Sequence, residues 1–439
     1  MEWRGDEAVM SDPLKIGIAG LGTVGVGVVR LLAEHGDLLA SRCGRRLEVV
    51  AVSSRDHGRD RGIDIGALTW YDDARGLAAD VNVDVVVELI GGADGIALDL
   101  SRDAIANSKH VVTANKAMIA HHGTDLAVAA EQAGVNLLFE AAVAGGIPIV
   151  KAMREGLAGN RFTRVYGILN GTCNYILSAM RESEREFDDV LDEAQKLGYA
   201  EADPSFDVDG VDAAHKLAIL ASLAFGAPLD FAAVHTEGIR HISPVDIGYA
   251  SELGYHIKLL GIAALTDRGL EQRVHPCMVS TDVPIAHVEG VFNAVVAEGD
   301  FVDSTMFGGR GAGQGPTASA VVADLIDIAR GATVPVLGVP SRDLAAIPAA
   351  SMSDHQGAYY VRLLVVDRPG VMADVTAALR DAEVSVEAII QRGRSPDDRV
   401  PVVLTMHETR EAAMRQALER IDALDAVLDT PRMIRIEQL

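Results

Sequence analysis

The first 145 residues carry short, unbroken apolar runs: KIGIA (15–19), LEVVAV (47–52), DVVVELI (84–90), HVVT (110–113) and NLLFE (136–140). Between them lie Ala-rich stretches with helical period, of which VGVGVVRLLAEH (24–35), stopped by Gly36, is the plainest. Continuous apolar runs of this length suit strands buried on both faces, and strands alternating with helices predict a parallel sheet covered on both sides. This unit is read over residues 13–145.

The pattern then changes. Residues 164–169 read as a strand, 172–181 and 188–197 as helices, and VDAAHKLAILASLAF (211–225) as a further helix. Strand-like runs follow at 257–265, 273–280 and 291–298, so residues 146–316 predict an α+β domain with an open sheet. Glycines crowd 308–315, and TASAVVADLIDIAR (317–330) reads as a helix able to pack back on the first domain. Residues 331–356 hold prolines and little periodicity and read as a linker. The tail, 357–439, follows βαββαβ: strands at 360–366, 384–391, 400–407 and 433–437, helices at 371–380 and 410–423. This is a ferredoxin-like pattern. Its sheet edges are expected to pair with a second copy, giving an oligomer.

Composition narrows the function. A net charge of −24 would repel a phosphate backbone, which excludes general nucleic-acid binding. The longest apolar runs are too short or broken to span a bilayer. Residues 1–12 lack the apolar core of a signal peptide and read as a loose polar tail. Cys43, Cys173 and Cys277 have no metal-ligand spacing and fit a reducing compartment. The expectation is a soluble, cytoplasmic protein.

GLGTVG (20–25) follows a strand and opens a helix, the context in which a glycine turn cradles a dinucleotide pyrophosphate at a helix N-terminus. The second strand runs into Ser53-Ser54-Arg55, with no acid placed for an NAD ribose. Small hydroxyls and an Arg suit the 2′-phosphate of NADP(H) instead. Thr113-Ala114-Asn115-Lys116 closes the fourth strand, where ligands of open α/β sheets sit. EAAVAGGIP (140–148) could turn carbonyls around a hard cation or serve as an inter-domain hinge. Asn170-Gly171-Thr172-Cys173 is a helix start whose backbone N–H groups could hold a carboxylate. Cys173 there invites a nucleophile reading, but no partner His is evident. His121-His122, His235 and His241 read as structural.

YAEADPSFDVDGVDAAHK (199–216) concentrates chemistry further. Gly198 and Pro204 break one helix, and Asp209 is placed to cap the next. Asp212 and Lys216 are i and i+4 on one face. With Glu201, Asp203 and Asp207 alongside, the set suits a small zwitterion that gains or loses a proton. The alternative is a capped surface helix with a solvated salt bridge.

Taken in order, GLGTVG, TANK, EAAVAGGIP, NGTCNYIL, the 198–216 segment and GRGAGQGPTASA resemble homoserine dehydrogenase over about 13–330, and 359–439 resembles an ACT regulatory domain, as in the long bacterial form of that enzyme. Gln314-Gly315 inside the glycine turn and Cys173, where the family often has Thr, depart from the pattern. The resemblance implies an α/β protein with a Rossmann-type domain, an α+β substrate and dimerisation domain, and a ferredoxin-like ACT domain. It implies NADP(H)-dependent interconversion of L-homoserine and L-aspartate 4-semialdehyde in threonine, methionine and isoleucine biosynthesis, with feedback by threonine at the tail and a homodimer or homotetramer.

Lys216 would be the general acid/base, Asp212 would orient it and the substrate hydroxyl, and Glu201 would bind the substrate amino group. Lys116 would contact cofactor and substrate. Gly20, Gly22, Thr23, Val24, Gly25, Arg55, Thr113, Gly198 and Gly313 would touch the cofactor. Glu140 with the carbonyls of Val143, Gly145 and Ile147 would hold a monovalent cation, usually sodium. Two rivals are a phosphorylating semialdehyde dehydrogenase using Cys173 and a non-enzymatic amino-acid sensor. Every chemical motif precedes the linker, so the tail is expected to be dispensable for catalysis.

Overall fold

The structure, a computed structural model, describes residues 11–392 and 399–439. Most of the expected tail at 1–12 lies outside the described residues. Ser11 and Asp12, however, belong to the first strand.

Six parallel strands form the first sheet: β1 (Ser11–Ala19), β2 (Arg45–Ser53), β3 (Thr69–Tyr71), β4 (Val85–Glu88), β5 (His110–Thr113) and β6 (Leu137–Leu138). Their order, β3-β2-β1-β4-β5-β6, reverses direction between β1 and β4, which opens a crevice at their carboxyl ends. Strand β3 and the helix Gly36–Cys43 escape the hydrophobic pattern because both are short and half exposed. The run at 136–140 yields only two strand residues, since Glu140 already turns into a 3₁₀ helix. The helix Gln314–Ala329 does return to this sheet. It packs Val321, Val322 and Leu325 into the core shared with Ile16, Ile18 and Val28. Gly27 permits the close approach, because a Cβ there would lie 2.7 Å from Cγ of Gln314.

The second sheet joins two parts of the chain. Its strands are β7 (Phe162–Ile168), β8 (His235–Thr236), β9 (Tyr255–Thr266), β10 (Gly269–Ser280), β11 (Phe292–Gly299) and β12 (Asp303–Arg310). The tail adds β13 (Gln356–Val366), β14 (Val386–Gln391), β15 (Arg399–Arg410) and β16 (Arg432–Glu437). The order is β12-β11-β7-β9-β10-β16-β13-β15-β14, with β8 also on β10. Strand β12, which takes in Gly308–Arg310 of the expected glycine turn, is an edge strand open to solvent and carries no apolar run to announce it. The helix Pro244–Glu252, also missed by the pattern, starts with a Ser243/Asp246 capping box.

The tail is bound into the body of the chain. One of its sheet edges is not open to a second copy: β16 pairs in parallel with β10 of the same chain, Cys277 opposite Arg435 and Val279 opposite Glu437. Nor is the tail a loosely tethered unit. Buried Arg273 pairs with Glu437, and buried Asp246 accepts from Tyr360 at 3.1 Å and Arg362 at 2.6 Å. The linker is likewise bound along the body. Val336 and Leu337 are buried, Ser341 donates to Glu131, and Leu270 N–H donates to Pro348.

Candidate active site

The helix Val211–Phe225 runs between the domains, and its residues from Asp212 to Leu223 are all buried. This rules out the solvated-helix reading: a salt bridge on this helix is held out of water, where its geometry is costly to disturb. Gly210, at φ +86°, is its N-cap, with no side-chain cap. Asp209 does not cap the helix as expected, because Arg240 holds its carboxylate.

One turn into the helix, the Asp212 carboxylate binds both lysines. Its Oδ1 lies 2.8 Å from Nζ of Lys116, and its Oδ2 lies 2.7 Å from Nζ of Lys216. Nδ2 of Asn170 donates to the same Oδ2 at 2.8 Å and to Asp207 at 2.7 Å. Asn170 also caps the helix Gly171–Ser183 through Cys173 N–H. It therefore fixes two carboxylates at once, a role that its place in NGTCNY did not disclose.

The charges respond to this packing. Burial would raise the Asp212 carboxyl, but Lys216 and Lys116 outweigh it and hold the group well below the usual range. Burial lowers Lys216, and Lys116 adds to the effect, against the pull of Asp212. Lys116 keeps 33% of its side chain exposed and is raised, since Asp212 outweighs its burial. Burial and Asp212 raise Asp207.

Lys216 has three N–H groups. One serves Asp212 and one the carbonyl of Leu169 at 2.8 Å, which leaves the third for the adjoining cavity. That cavity, about 430 Å³, is walled by Lys116, Asn170, Gly171, Thr172, Gly198, Tyr199, Glu201, Asp207, Asp212, Lys216 and the turn 310–313. Asn293 also lines it, with a buried Nδ2 that has no partner. Sequence reasoning did not single it out. Asp203 sits aside, closing a turn on Ser205 N–H. Cys173 is fully buried, and burial with Asp207 and Asp212 pushes its thiol well up. It cannot serve as an activated nucleophile, which removes the support for a phosphorylating dehydrogenase.

A second cavity, about 740 Å³, opens at the β1/β4 crevice, lined by Gly20, Leu21, Gly22, Ser53, Ser54, Arg55, Arg59, Arg61, Leu89 and Ile90 among others. The glycines fit a dinucleotide. Gly20 has φ +100°, and a Cβ would lie 2.6 Å from the carbonyl of Leu89; Gly25 lies against Gly20 with no room for one; Gly22 faces open space. Arg61 was not foreseen. It donates to Leu21 O at 3.2 Å and Ser54 Oγ at 3.2 Å, which ties the glycine turn to the end of β2. Asp56, the first acid after β2, accepts Gly58 N–H in a local turn. Thr113 is buried, its hydroxyl donating to Glu88 at 2.6 Å, and it lines neither cavity.

In the 140–148 loop, Ala144 (φ +54°) and Gly145 (φ +48°) reverse the chain, and Gly146 N–H donates to Arg310 O. The Glu140 carboxylate is spent on the N–H groups of Val150 and Lys151, and burial with Asp324 raises it to about 7. Only main-chain oxygens of this loop remain for a cation. Among the described residues no cluster of His, Cys, Asp or Glu could hold a metal, and no helix is long and apolar enough to cross a membrane.

Comparison with known proteins decides the family. The profile described as homoserine dehydrogenase matches residues 148–326, the homoserine dehydrogenase NAD-binding domain matches 20–140, and the ACT domain matches 359–425. The homoserine dehydrogenase of Pseudomonas aeruginosa is 48% identical over 434 residues, covering 97% of this chain and 99% of its own. The chain belongs to the homoserine dehydrogenase family. That of Neisseria gonorrhoeae is 45% identical over 433 residues, covering 97% of this chain and 99% of its own. The crystal structure of a homoserine dehydrogenase from Thiobacillus denitrificans superposes with TM-score 0.92 at 46% identity, covering 97% of this chain and 98% of that one. Homoserine dehydrogenases are NAD(P)-dependent oxidoreductases, and this chain holds a glycine-lined crevice at the strand ends and a separate lysine–carboxylate cavity.

Proposed function

We propose that this homoserine dehydrogenase interconverts L-homoserine and L-aspartate 4-semialdehyde with a preference for NADP(H), using Lys216 as the acid/base. The observation that carries the reading is the Lys116–Asp212–Lys216 array, with Asp212 and Lys216 buried, facing a polar cavity of about 430 Å³. Lys116, Lys216 and Arg310 balance Asp207, Asp212 and Glu201 along the wall, which suits a zwitterionic substrate, with Glu201 as the partner of its ammonium. The N–H groups at Gly171 and Thr172, opening the helix Gly171–Ser183, suit its carboxylate.

When bound, NADP(H) supplies the hydride. As the aldehyde carbon takes hydride, its oxygen gains charge. Lys216 donates its free N–H to that oxygen and then transfers the proton; in the reverse direction neutral Lys216 removes the hydroxyl proton. Asp212 keeps the lysine aimed, and Lys116 balances the charge on the cofactor side. A monovalent cation, sodium by family, would rest on the carbonyls of Glu140, Val143, Gly145 and Ile147 and brace the turn 310–313. Gly198 and Gly313, which also line the cavity, would meet the cofactor; Thr23, Val24 and Gly25 would shape its pyrophosphate turn.

The deciding assay follows NADPH oxidation with aspartate semialdehyde, repeated with NADH and with threonine, the effector proposed for the ACT domain. Turnover faster with NADPH and slowed by threonine supports the whole reading; no turnover with either cofactor overturns it. A homoserine dehydrogenase from a hyperthermophilic archaeon, 26% identical, has been solved in complex with NADPH. For cofactor choice, Arg55→Glu combined with Arg61→Leu should lower kcat/KM with NADPH by about 10–100-fold while sparing NADH, because charge-assisted contacts to the 2′-phosphate are lost. An unchanged ratio of the two kcat/KM values would show that these arginines do not read the phosphate.

A further inference from the structure

Arg435, on β16 of the tail, is the bulkiest fully buried side chain, 1% exposed. It lies far from the substrate cavity in sequence and is not among the residues lining it. Strand β9 takes one edge of β10, so β8 and β16 lie end to end along the other, at Arg273–Val274 and at Cys277–Val279. Arg435 bridges the gap between them. Its Nη1 and Nη2 each donate to a different oxygen of Glu237 at 2.9 Å, and Nε donates to Glu411 at 2.9 Å. A two-pronged contact of this kind fixes the position of the carboxylate as well as its charge.

Glu237 begins a segment that presses on the acidic loop from behind. Its own N–H is on Val274 O at 2.8 Å, and two residues later Ile239 N–H donates to Val208 O at 2.9 Å. Between them, Gly238 runs so close that a Cβ would lie 2.3 Å from the Val208 carbonyl and 2.6 Å from Cα of Asp209. Arg240 then grips Asp209 and Ser205. Val208 and Asp209 directly follow Asp207, which faces the cavity, and precede Gly210, where the catalytic helix starts. There is no slack along this path, and a close-packed interior passes a displacement on rather than absorbing it.

We propose that Arg435 is a positioning residue for the reaction: through Glu237 it sets where residues 237–240 hold the loop 205–210, and so sets the substrate affinity of the cavity that Asp207 and Asp212 line. This rests on the reading of that cavity as the substrate site. The tail thereby reaches the chemistry through the Arg435–Glu237 ion pair, whether or not an effector is bound.

The test uses the full chain and three variants. Arg435→Lys keeps the charge but cannot fork to both oxygens. Glu237→Gln keeps the shape, and its side chain is 28% exposed, so it is tolerated even if Arg435→Lys fails to fold. Gly238→Ala pushes on Val208 directly without touching the tail. The expected result is a KM for aspartate semialdehyde raised roughly 5- to 50-fold in each, a coupling of the usual size between linked sites. The KM for NADPH should stay within about twofold, and the Arg435→Lys/Glu237→Gln double variant should be no worse than its worse single, as for two members of one contact. A purely structural tie would lower the denaturation midpoint and leave substrate KM alone, and that result overturns the proposal. If Gly238→Ala raises KM but the other two do not, the route from Arg435 is wrong while the site reading stands. If Gly238→Ala too leaves KM unchanged in an active enzyme, the loop does not hold substrate and the site reading itself falls.

Discussion

Lys216→Met is expected to lower kcat by about 10²–10⁴-fold, the usual worth of a positioned general acid. Methionine fills the buried space without a proton to give, so the loss reads chemistry rather than a cavity. NADPH affinity should hold, because Lys216 lines only the substrate cavity and makes no contact with the glycine turn. The pH profile gives a second reading of the same residue. Burial puts Lys216 below the 10.5 of a free lysine. Homoserine oxidation needs the neutral amine and should rise with pH through that group; aldehyde reduction needs the ammonium and should fall through it. The variant should lose this limb in both directions. A variant with kcat near wild type, or with the limb intact, would remove Lys216 from the role.

Deleting residues 357–439 is expected to cost the fold of what remains, contrary to the expectation that every chemical motif before the linker makes an independent core. The deletion takes Glu437 from Arg273, Tyr360 and Arg362 from Asp246, and Arg435 from Glu237. Arg273 and Asp246 are both nearly inaccessible. Arg273 keeps Glu271 at 2.7 Å, but Asp246 loses Arg362; breaking a buried ion pair costs about 3–5 kcal/mol, and a whole domain is stable by only about 5–15 kcal/mol. Residues Cys277–Val279 of β10 would also lose their neighbouring strand. Soluble yield, the denaturation midpoint and kcat of the truncated chain measure the effect. A truncated chain that keeps the full-length midpoint and turnover would show that the tail is an appendage after all.

Local rules reach a long way into this chain. The helix Val211–Phe225 has the bounds its pattern predicts, since Gly210 and Gly226 both adopt positive φ and stop it. The tail's βαββαβ order and the GLGTVG turn follow in the same way from apolar period and from glycines whose missing Cβ makes room for backbone. Lys116, read from one stretch, and Glu201, Asp212 and Lys216, read from another, do line one cavity.

What the sequence could not disclose is what depends on distance through space. Arg61 meets Leu21 across 40 positions, Asn170 meets Asp212 across 42, and Arg435 meets Glu237 across 198. No period or cap encodes such pairs; only the packing of one element on another brings them together. The same packing decided that the helix Val211–Phe225 is buried, that Asp209 serves Arg240 and not the helix end, and that the Cys173 thiol is held protonated by burial. The sequence by itself determined the elements, their class and the chemistry available, because those rest on neighbours a few residues apart. The tertiary structure alone decided which charges are desolvated and which are paired, and how the tail is bound into the body.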